Sequence, residues 1–266
     1  MKLFAIRKGN MEQFFRNQRS NNPKEIVVDV WGDFALFTRT ETKVERVTYD
    51  VPTPSACRGI LNAIYCKPVE FHYQIKKIEV MKSIKYINIK KNEIKTKIDI
   101  KKPNPIIVKE VITQRNSIYL MDVYYRIYAE IIPHKRTDRP ISLYSLYSQF
   151  EQRLKNGKCF HQPVLGTSDC TAFFSQPDPD MKPIQESRDL GIMLYDIFDI
   201  KGTTPLNTAT GEGSIEPSYY HATMINGVII VPNYESFEVL KKPSKKINKE
   251  SRCIRNYINT RKSMHW

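Results

Sequence analysis

The sequence predicts an α+β protein, and three observations carry that reading: two stretches with helically spaced apolar residues, β-type runs on either side of them, and a change of character after about residue 158. Residues 1–25 read as a loose polar arm. The first β-type segments are Ile26 to Val30 and Phe34 to Phe37, around Trp31 and Gly32, where the glycine marks a bulge or a close approach. Cys57, Ile60, Leu61, Ile64 and Tyr65 then fall on one helical face, with Thr53 placed to cap, Pro54 suited to the first helical position and Lys67-Pro68 to stop it.

Phe71 to Met81 reads as a strand. Ile94, Thr96, Ile98 and Ile100 alternate with Lys95, Lys97, Asp99 and Lys101, which predicts a strand with one apolar and one basic face. Ile118 to Ile132 is a long strand ended by Pro133. Ser142 then leads Leu143, Leu146, Tyr147, Phe150 and Leu154 at helical spacing, with Gly157 placed to terminate. The order strand, helix, strand, strand, helix predicts a ferredoxin-like (RRM-like) domain over 26–158. A smaller, mostly antiparallel β domain follows over 159–240, from the strand-like pieces Phe160 to Leu165, Gly191 to Ile200 and Tyr219 to Val231. The last of these holds Asn226-Gly227, a strong hairpin signal. Residues 241–266 read as a basic tail.

The chain has 266 residues, 41% hydrophobic, enough for one large core or two modest ones. No run of 18 apolar residues and no leader pattern at Met1 to Asn10 is present, so the expectation is a soluble, cytoplasmic protein with no membrane partner. Its five cysteines are widely spaced without a CxxC pair, which argues for reduced thiols. The formal charge is +14, and it is clustered: residues 76–109 carry a net +8, residues 241–263 another +8, and the rest about −2. Such clusters point to a polyanion, and RNA is the partner favoured over a merely solvated face.

Walker loops, GxGxxG, HExxH and GxSxG are absent, and the five histidines stand far apart, so neither nucleotide chemistry nor a bound metal or other cofactor is expected. A basic surface rich in tyrosine can instead stack unpaired bases and meet phosphates. The same surface can cut RNA without metal if a base, an acid and a phosphate-steadying cation converge.

The stretch from Tyr49 through Val51-Pro52-Thr53-Pro54-Ser55-Ala56-Cys57-Arg58-Gly59 to Leu61, with Ile64-Tyr65-Cys66-Lys67-Pro68 behind it, resembles the N-terminal signature of CRISPR-associated protein five, of the RAMP superfamily. Gly32-Asp33-Phe34-Ala35-Leu36-Phe37-Thr38, Val80-Met81-Lys82 and Gly157-Lys158-Cys159-Phe160-His161-Gln162-Pro163 favour its d type, a subunit of type I-C Cascade. The resemblance spans about residues 26 to 231. It implies the two-part fold read above, and two jobs: holding the 5′ handle of the mature guide RNA, and cutting precursor CRISPR RNA at the base of the repeat hairpin without metal. It also implies the backbone and large Cascade subunits as partners, with target DNA met indirectly through the complex.

The tyrosine ahead of Val-Pro-Thr is implicated in processing members, and Tyr49 matches it. The Lys and His they carry on a later strand would fall near Tyr128 to Glu130, where this chain has neither. His134 and Lys135, beyond Pro133, are the nearest replacement. The catalytic candidates are therefore Tyr49, His134 and Lys135, and the RNA-binding candidates Arg46, Arg58, Lys82, Lys95, Lys97, Lys101 and His161. Two other readings stay open: a subunit that only caps the 5′ handle, its RNA cut by another enzyme, and a basic RNA-binding protein outside any assembly.

Overall fold

The computed structural model describes residues 25–42, 45–96, 105, 107–134, 142–198 and 215–241. Their framework is a mostly antiparallel β-sheet with few helices. In chain order the strands are β1 (Ile26–Ala35), β2 (Arg46–Val47), β3 (Phe71–Val80), β4 (Tyr86–Ile94), β5 (Ile112–Pro133), β6 (Phe173–Ser175), β7 (Arg188–Phe198), β8 (Ile215–Ile225) and β9 (Val228–Ile230). The helices are α1 (Pro54–Ile64), a single turn α2 (Val108–Val111) and α3 (Leu143–Lys155). Hydrogen bonding runs β6-β1-β5-β3-β9-β8-β7, while β2 and β4 pair with β5 off that path. Every pairing is antiparallel except β2 with β5. Among the described residues no helix is long and apolar enough to cross a membrane.

The two main helices form where local signals placed them. Thr53 accepts a hydrogen bond from the Ala56 N–H at 3.2 Å, Pro54 occupies the first turn, and Cys57, Ile60, Leu61 and Ile64 are buried. Ser142 caps α3, which buries Leu146, Tyr147, Phe150 and Leu154, and Gly157 follows at φ +61°. Both helices cover one face of the sheet. Tyr73 of β3 packs edge-on against Phe150 and donates through its hydroxyl to the Tyr65 carbonyl at 2.6 Å. The Ile131 N–H of β5 donates to the Tyr147 hydroxyl oxygen at 3.0 Å.

Period-two alternation decides the two faces. Val28 and Val30 of β1, Tyr125, Ile127, Ala129 and Ile131 of β5, and Ile75 and Ile78 of β3 point into the helix-covered core. Their neighbours Asp29, Trp31, Tyr124, Arg126, Tyr128 and Glu79 lie on the opposite face. Asp29 is fully buried there, held bidentately by Arg126 at 2.6 and 2.9 Å and by the Tyr124 hydroxyl at 3.0 Å. Residue 76 is an extra residue in β3: Ile75 pairs with Ala129 and Lys77 with Tyr128, so the strand bulges between them.

Several expected elements shift. β1 runs unbroken through Trp31 and Gly32, because β5 pairs with it on both sides of the glycine. The alternating strand lies at Tyr86–Ile94 and ends there; Ile94 is 53% exposed, since β4 pairs with β5 alone and, among the described residues, no layer covers it. Residues 97–100 of the expected strand lie outside the described residues. β5 begins at Ile112, before Ile118, because β4 extends its ladder. Phe160 to Leu165 forms no strand: the Phe160 and His161 N–H groups both donate to the Ala63 carbonyl of α1, and only Val164 bridges to Thr171. The hairpin forms as expected, with Asn226 at φ +49° and Gly227 at φ +74° joining β8 to β9. A Cβ at Gly227 would sit 2.5 Å from the Ile184 carbonyl oxygen, so both its conformation and its surroundings demand glycine.

Burial raises the phenols of Tyr73, Tyr125 and Tyr220, and pushes Tyr195 up to about 12. An unfolded chain releases these protons near pH 10, the folded one later. Above about pH 10 the folded state therefore binds more protons than the unfolded, and stability falls as pH rises through that window. Denaturant titrations at a series of alkaline pH values should show a midpoint that is flat below about pH 9.5 and then declines.

Candidate functional site

Tyr49 sits where the chain leaving β1 is laced to the chain leaving β2. Its N–H donates to the Phe37 carbonyl at 2.7 Å, the Thr48 hydroxyl accepts from the Phe37 N–H at 3.1 Å, and the Thr48 N–H reaches the Ile118 carbonyl of β5 at 3.3 Å. The lacing buries the tyrosine, which is 1% exposed. The cation beside it is Arg39, 4.8 Å over the ring, and not Arg46, which pairs with Glu93 of β4 at 3.1 Å. Arg39 is in turn held by the Thr48 carbonyl at 3.2 Å and by Asp50 at 3.3 Å. Burial raises the Tyr49 phenol, and its bonds to the Thr40 side chain and the Leu194 backbone only partly oppose that. At neutral pH the group is a proton-bearing phenol, suited to donating a hydrogen bond.

A cavity of about 440 Å³ opens beside this wall. Leu36, Phe37 and Thr38 form one side, Thr53, Ser55, Ala56, Gly59 and Ala63 of the α1 region a second, and His161, Gln162, Val164 and Gly166 a third, with Leu194 and Ile197 of β7 closing it. Gly166, at φ +94°, lets its loop press against β1, since a Cβ would collide with the Leu36 carbonyl. Tyr49 adjoins this cavity through Phe37 and Leu194, and His161 lines it. His161 is exposed, and an imidazole is chemically able to give or take a proton.

His134 lies elsewhere. It follows the far end of β5, its N–H donating to the Glu70 carbonyl at 2.8 Å and its ring 4.9 Å from that of His72. Tyr49 adjoins β5 near Ile118, so the strand separates the two by tens of ångströms, at about 3.3 Å per residue. Lys135 is outside the described residues. At the positions where the resemblance expects a basic pair, Tyr128 donates to Glu79 at 3.0 Å and Glu130 pairs with Lys76 at 3.4 Å. The cations come from across the ladder: Lys77 lies 3.7 Å over the Tyr128 ring and 2.7 Å from Glu79.

The other basic candidates divide by what they touch. Arg58 of α1 is bound to Asp196 of β7 at 2.8 Å, and that carboxylate is 1% exposed, so this arginine ties helix to sheet. Lys82 pairs with Asp122 at 2.5 Å on the surface. Lys95 is exposed just past β4, its backbone N–H donating to the Val111 carbonyl at 3.0 Å. Lys97 and Lys101 lie outside the described residues. Beyond the body of the sheet, β4 and the first half of β5 form a two-stranded ribbon carrying Lys90, Lys91 and Arg115.

The family model for CRISPR-associated protein (Cas_Cas5), of the Cas5d kind, matches residues 25–232. The chain is 38% identical to "CRISPR pre-crRNA endoribonuclease Cas5d" of Thermus thermophilus, over 78% of this chain and 91% of that one. It is a Cas5d family member. A second relative of the same name, from Mannheimia succiniciproducens, is 35% identical over 80% of this chain and 97% of its own length. Two solved structures share the fold: a CRISPR-associated protein at 22% identity and the Streptococcus mutans protein SMU1763c at 21%, each with a TM-score of 0.56 over 82% of this chain and 96% and 97% of theirs. The span matched by the Cas5d model takes in every strand of the sheet and stops short of the basic tail.

Against this Cas5d framework, sequence reasoning missed Arg39; it held Thr38 and Gln162 within the motifs above and Lys76 and Lys77 within the basic cluster, without naming any of the four as a site residue. Three stretches singled out in the sequence, 32–38, the one around Tyr49 and 157–163, meet at the cavity, but nothing local in any of them says that they meet. For Arg58 the geometry gives a direct test. Arg58→Ala removes the guanidinium that faces the buried Asp196 carboxylate and should cost about 3–5 kcal/mol of unfolding free energy. Adding Asp196→Asn should recover part of that loss in the same denaturant titration.

Proposed function

We propose that this chain is an endoribonuclease that cuts precursor CRISPR RNA in a repeat, without metal, and stays on the product as a Cascade subunit. The observation that carries the reading is identity of 35–38%, across more than nine-tenths of their length, to two relatives named pre-crRNA endoribonucleases. The cavity supports it by offering an exposed imidazole in a wall whose Phe37 and Leu194 are also hydrogen-bonded to Tyr49. In the reaction the ribose 2′-oxygen attacks the adjacent phosphorus, its proton passes to a base, and the bond to the 5′-oxygen breaks as that oxygen takes a proton. The products are a 2′,3′-cyclic phosphate and a 5′-hydroxyl. His161 is our choice for one of these transfers, and Tyr49 for a hydrogen bond that holds the reacting geometry. His134, at the opposite end of β5, with Lys135 next to it in sequence, forms a second candidate pair that would serve a different phosphate.

The fold supports a finer reading. Strands in the order β6-β1-β5-β3, with α1 after β1 and α3 after β5 on one face, follow the βαββαβ plan of ferredoxin-like domains. On that reading the domain takes its fourth strand, β6, from beyond residue 158, and β7, β8 and β9 make up the smaller antiparallel part. The ribbon, with Lys90 and Lys95 exposed, is the surface we assign to RNA phosphates, and the complex would be assembled in the cytoplasm.

Incubation of the purified chain with a repeat hairpin RNA in EDTA should yield cyclic-phosphate ends, detected by resistance to 3′ end-labelling until the ring is opened and the resulting phosphate is removed; no cleavage in chelator would sink the metal-free step. His161→Ala should cut about a hundred- to ten-thousand-fold more slowly with little change in RNA affinity. If His134→Ala carries that loss instead, the reaction belongs to the far end of β5. Replacing Lys90, Lys95, Lys97 and Lys101 with Ala should flatten the dependence of log affinity on log salt by about one unit for each phosphate that is no longer neutralised.

A further inference from the structure

We propose that the sheet face turned away from α1 and α3 carries a stacking site for one unpaired RNA base, with Phe173 as its landing ring. The inference rests on the RNA reading above and goes beyond it in naming the surface and the part of the RNA it takes. Trp31 of β1 lies between two aromatic partners directly across the ladder, Tyr124 of β5 and Phe173 of β6. The Trp31 and Tyr124 rings stack at 5.6 Å with 12° between planes, and Trp31 and Phe173 at 6.2 Å with 27°. Both faces of the indole are therefore occupied. Phe173 turns one face to Trp31, and β6 is the edge of the sheet, so its other face closes the stack with no further ring among the described residues. That phenylalanine is 52% exposed.

A cross-strand ring stack stabilises a sheet by itself, but it needs no half-exposed phenylalanine at its open end. What distinguishes this stack is its setting. Residues 176–187 cross the same face along one side: the Asp178 N–H donates to Asp29 at 2.9 Å and the Ile184 N–H to the Val80 carbonyl at 2.9 Å. On the other side is the root of the basic ribbon. The Met81 N–H donates to the Tyr124 carbonyl at 2.9 Å, which brings Lys82 beside the stack, and the Lys85 carbonyl accepts from Met121 at 3.0 Å. Asp29 is satisfied by Arg126 and Asp122 by Lys82, while Asp33, Asp178 and Asp180 keep the immediate surroundings from being uniformly positive. A phosphate is thus poorly served at the rings and well served at the ribbon root. A neutral, planar base suits the rings, held by stacking while its backbone follows the lysines.

The test uses the full chain and repeat-derived RNAs in which 2-aminopurine replaces one unpaired nucleotide at a time. One position should be quenched on binding. Phe173→Ala should abolish that quench and weaken affinity roughly 5- to 100-fold, the range expected for one stacked base, while Phe173→Tyr preserves both. Because Phe173 is a half-exposed edge residue, Phe173→Tyr should melt with the parent and Phe173→Ala should lose only the contribution of one stacked ring and stay folded. RNA binding with no quenched position, or a quench that survives Phe173→Ala, overturns the stacking site and leaves the nuclease reading standing. Unchanged RNA affinity with weaker incorporation into a Cascade would make the ring a protein contact and equally overturn the site. Failure of the parent chain to bind any repeat RNA overturns both readings.

Discussion

The centre of the sheet is set by the register of one strand. β5 spans Ile112–Pro133 and is hydrogen-bonded in turn to β4, β2, β1 and β3. Its inner residues, Tyr125 to Ile131 at every second position, hold the helices, and its outer ones hold the polar face. A slip of one residue would exchange the two sets, turning Ile127 and Ile131 to solvent and burying Arg126 and Glu130 among apolar side chains. The strand also measures the distance between chemical groups. With Tyr49 laced near Ile118 and His134 after Pro133, the ends of β5 are two separate chemical neighbourhoods.

Asp29 anchors the outer face. A fully buried carboxylate is tolerated only with its lone pairs satisfied, and here a bidentate guanidinium, a phenol and a backbone N–H all point at it. The Asp178 N–H belongs to the crossing segment, so the same carboxylate holds that segment down over the sheet. Arg126 adds a bond of 2.5 Å to the Asp178 carbonyl. The polar cluster therefore orders a loop in addition to pairing two strands, and the aromatic stack beside it inherits that order.

What the sequence made legible was local. Thr53-Pro54 and Ser142 with Gly157 are signals that a helix terminus satisfies within four residues, and Asn226-Gly227 dictates its turn by itself. The start of β5 was not legible, because Thr113 to Ser117 become strand only through pairing with β4. Nor was Phe160 to Leu165: its β-type composition is overridden by two N–H groups that find the Ala63 carbonyl. The candidate site divides the same way. Tyr49 could be picked out from its motif, but its burial, its arginine and its cavity depend on residues far off in sequence. His161 was legible as a residue, and its position opposite Ser55 and Gly59 was not.

The bulge at residue 76 has a bearing on how this strand tolerates change in length. Since Ile75 and Lys77 already occupy successive rungs of the ladder, Lys76 is surplus to the alternation. Removing it would leave Tyr73, Ile75, Ile78 and Val80 facing inward, whereas deleting a neighbouring rung would invert everything after it. β3 can thus lose one lysine, and with it the partner of Glu130, while the core stays in phase. The charge at residue 76 is separable from the alternation of the buried rows.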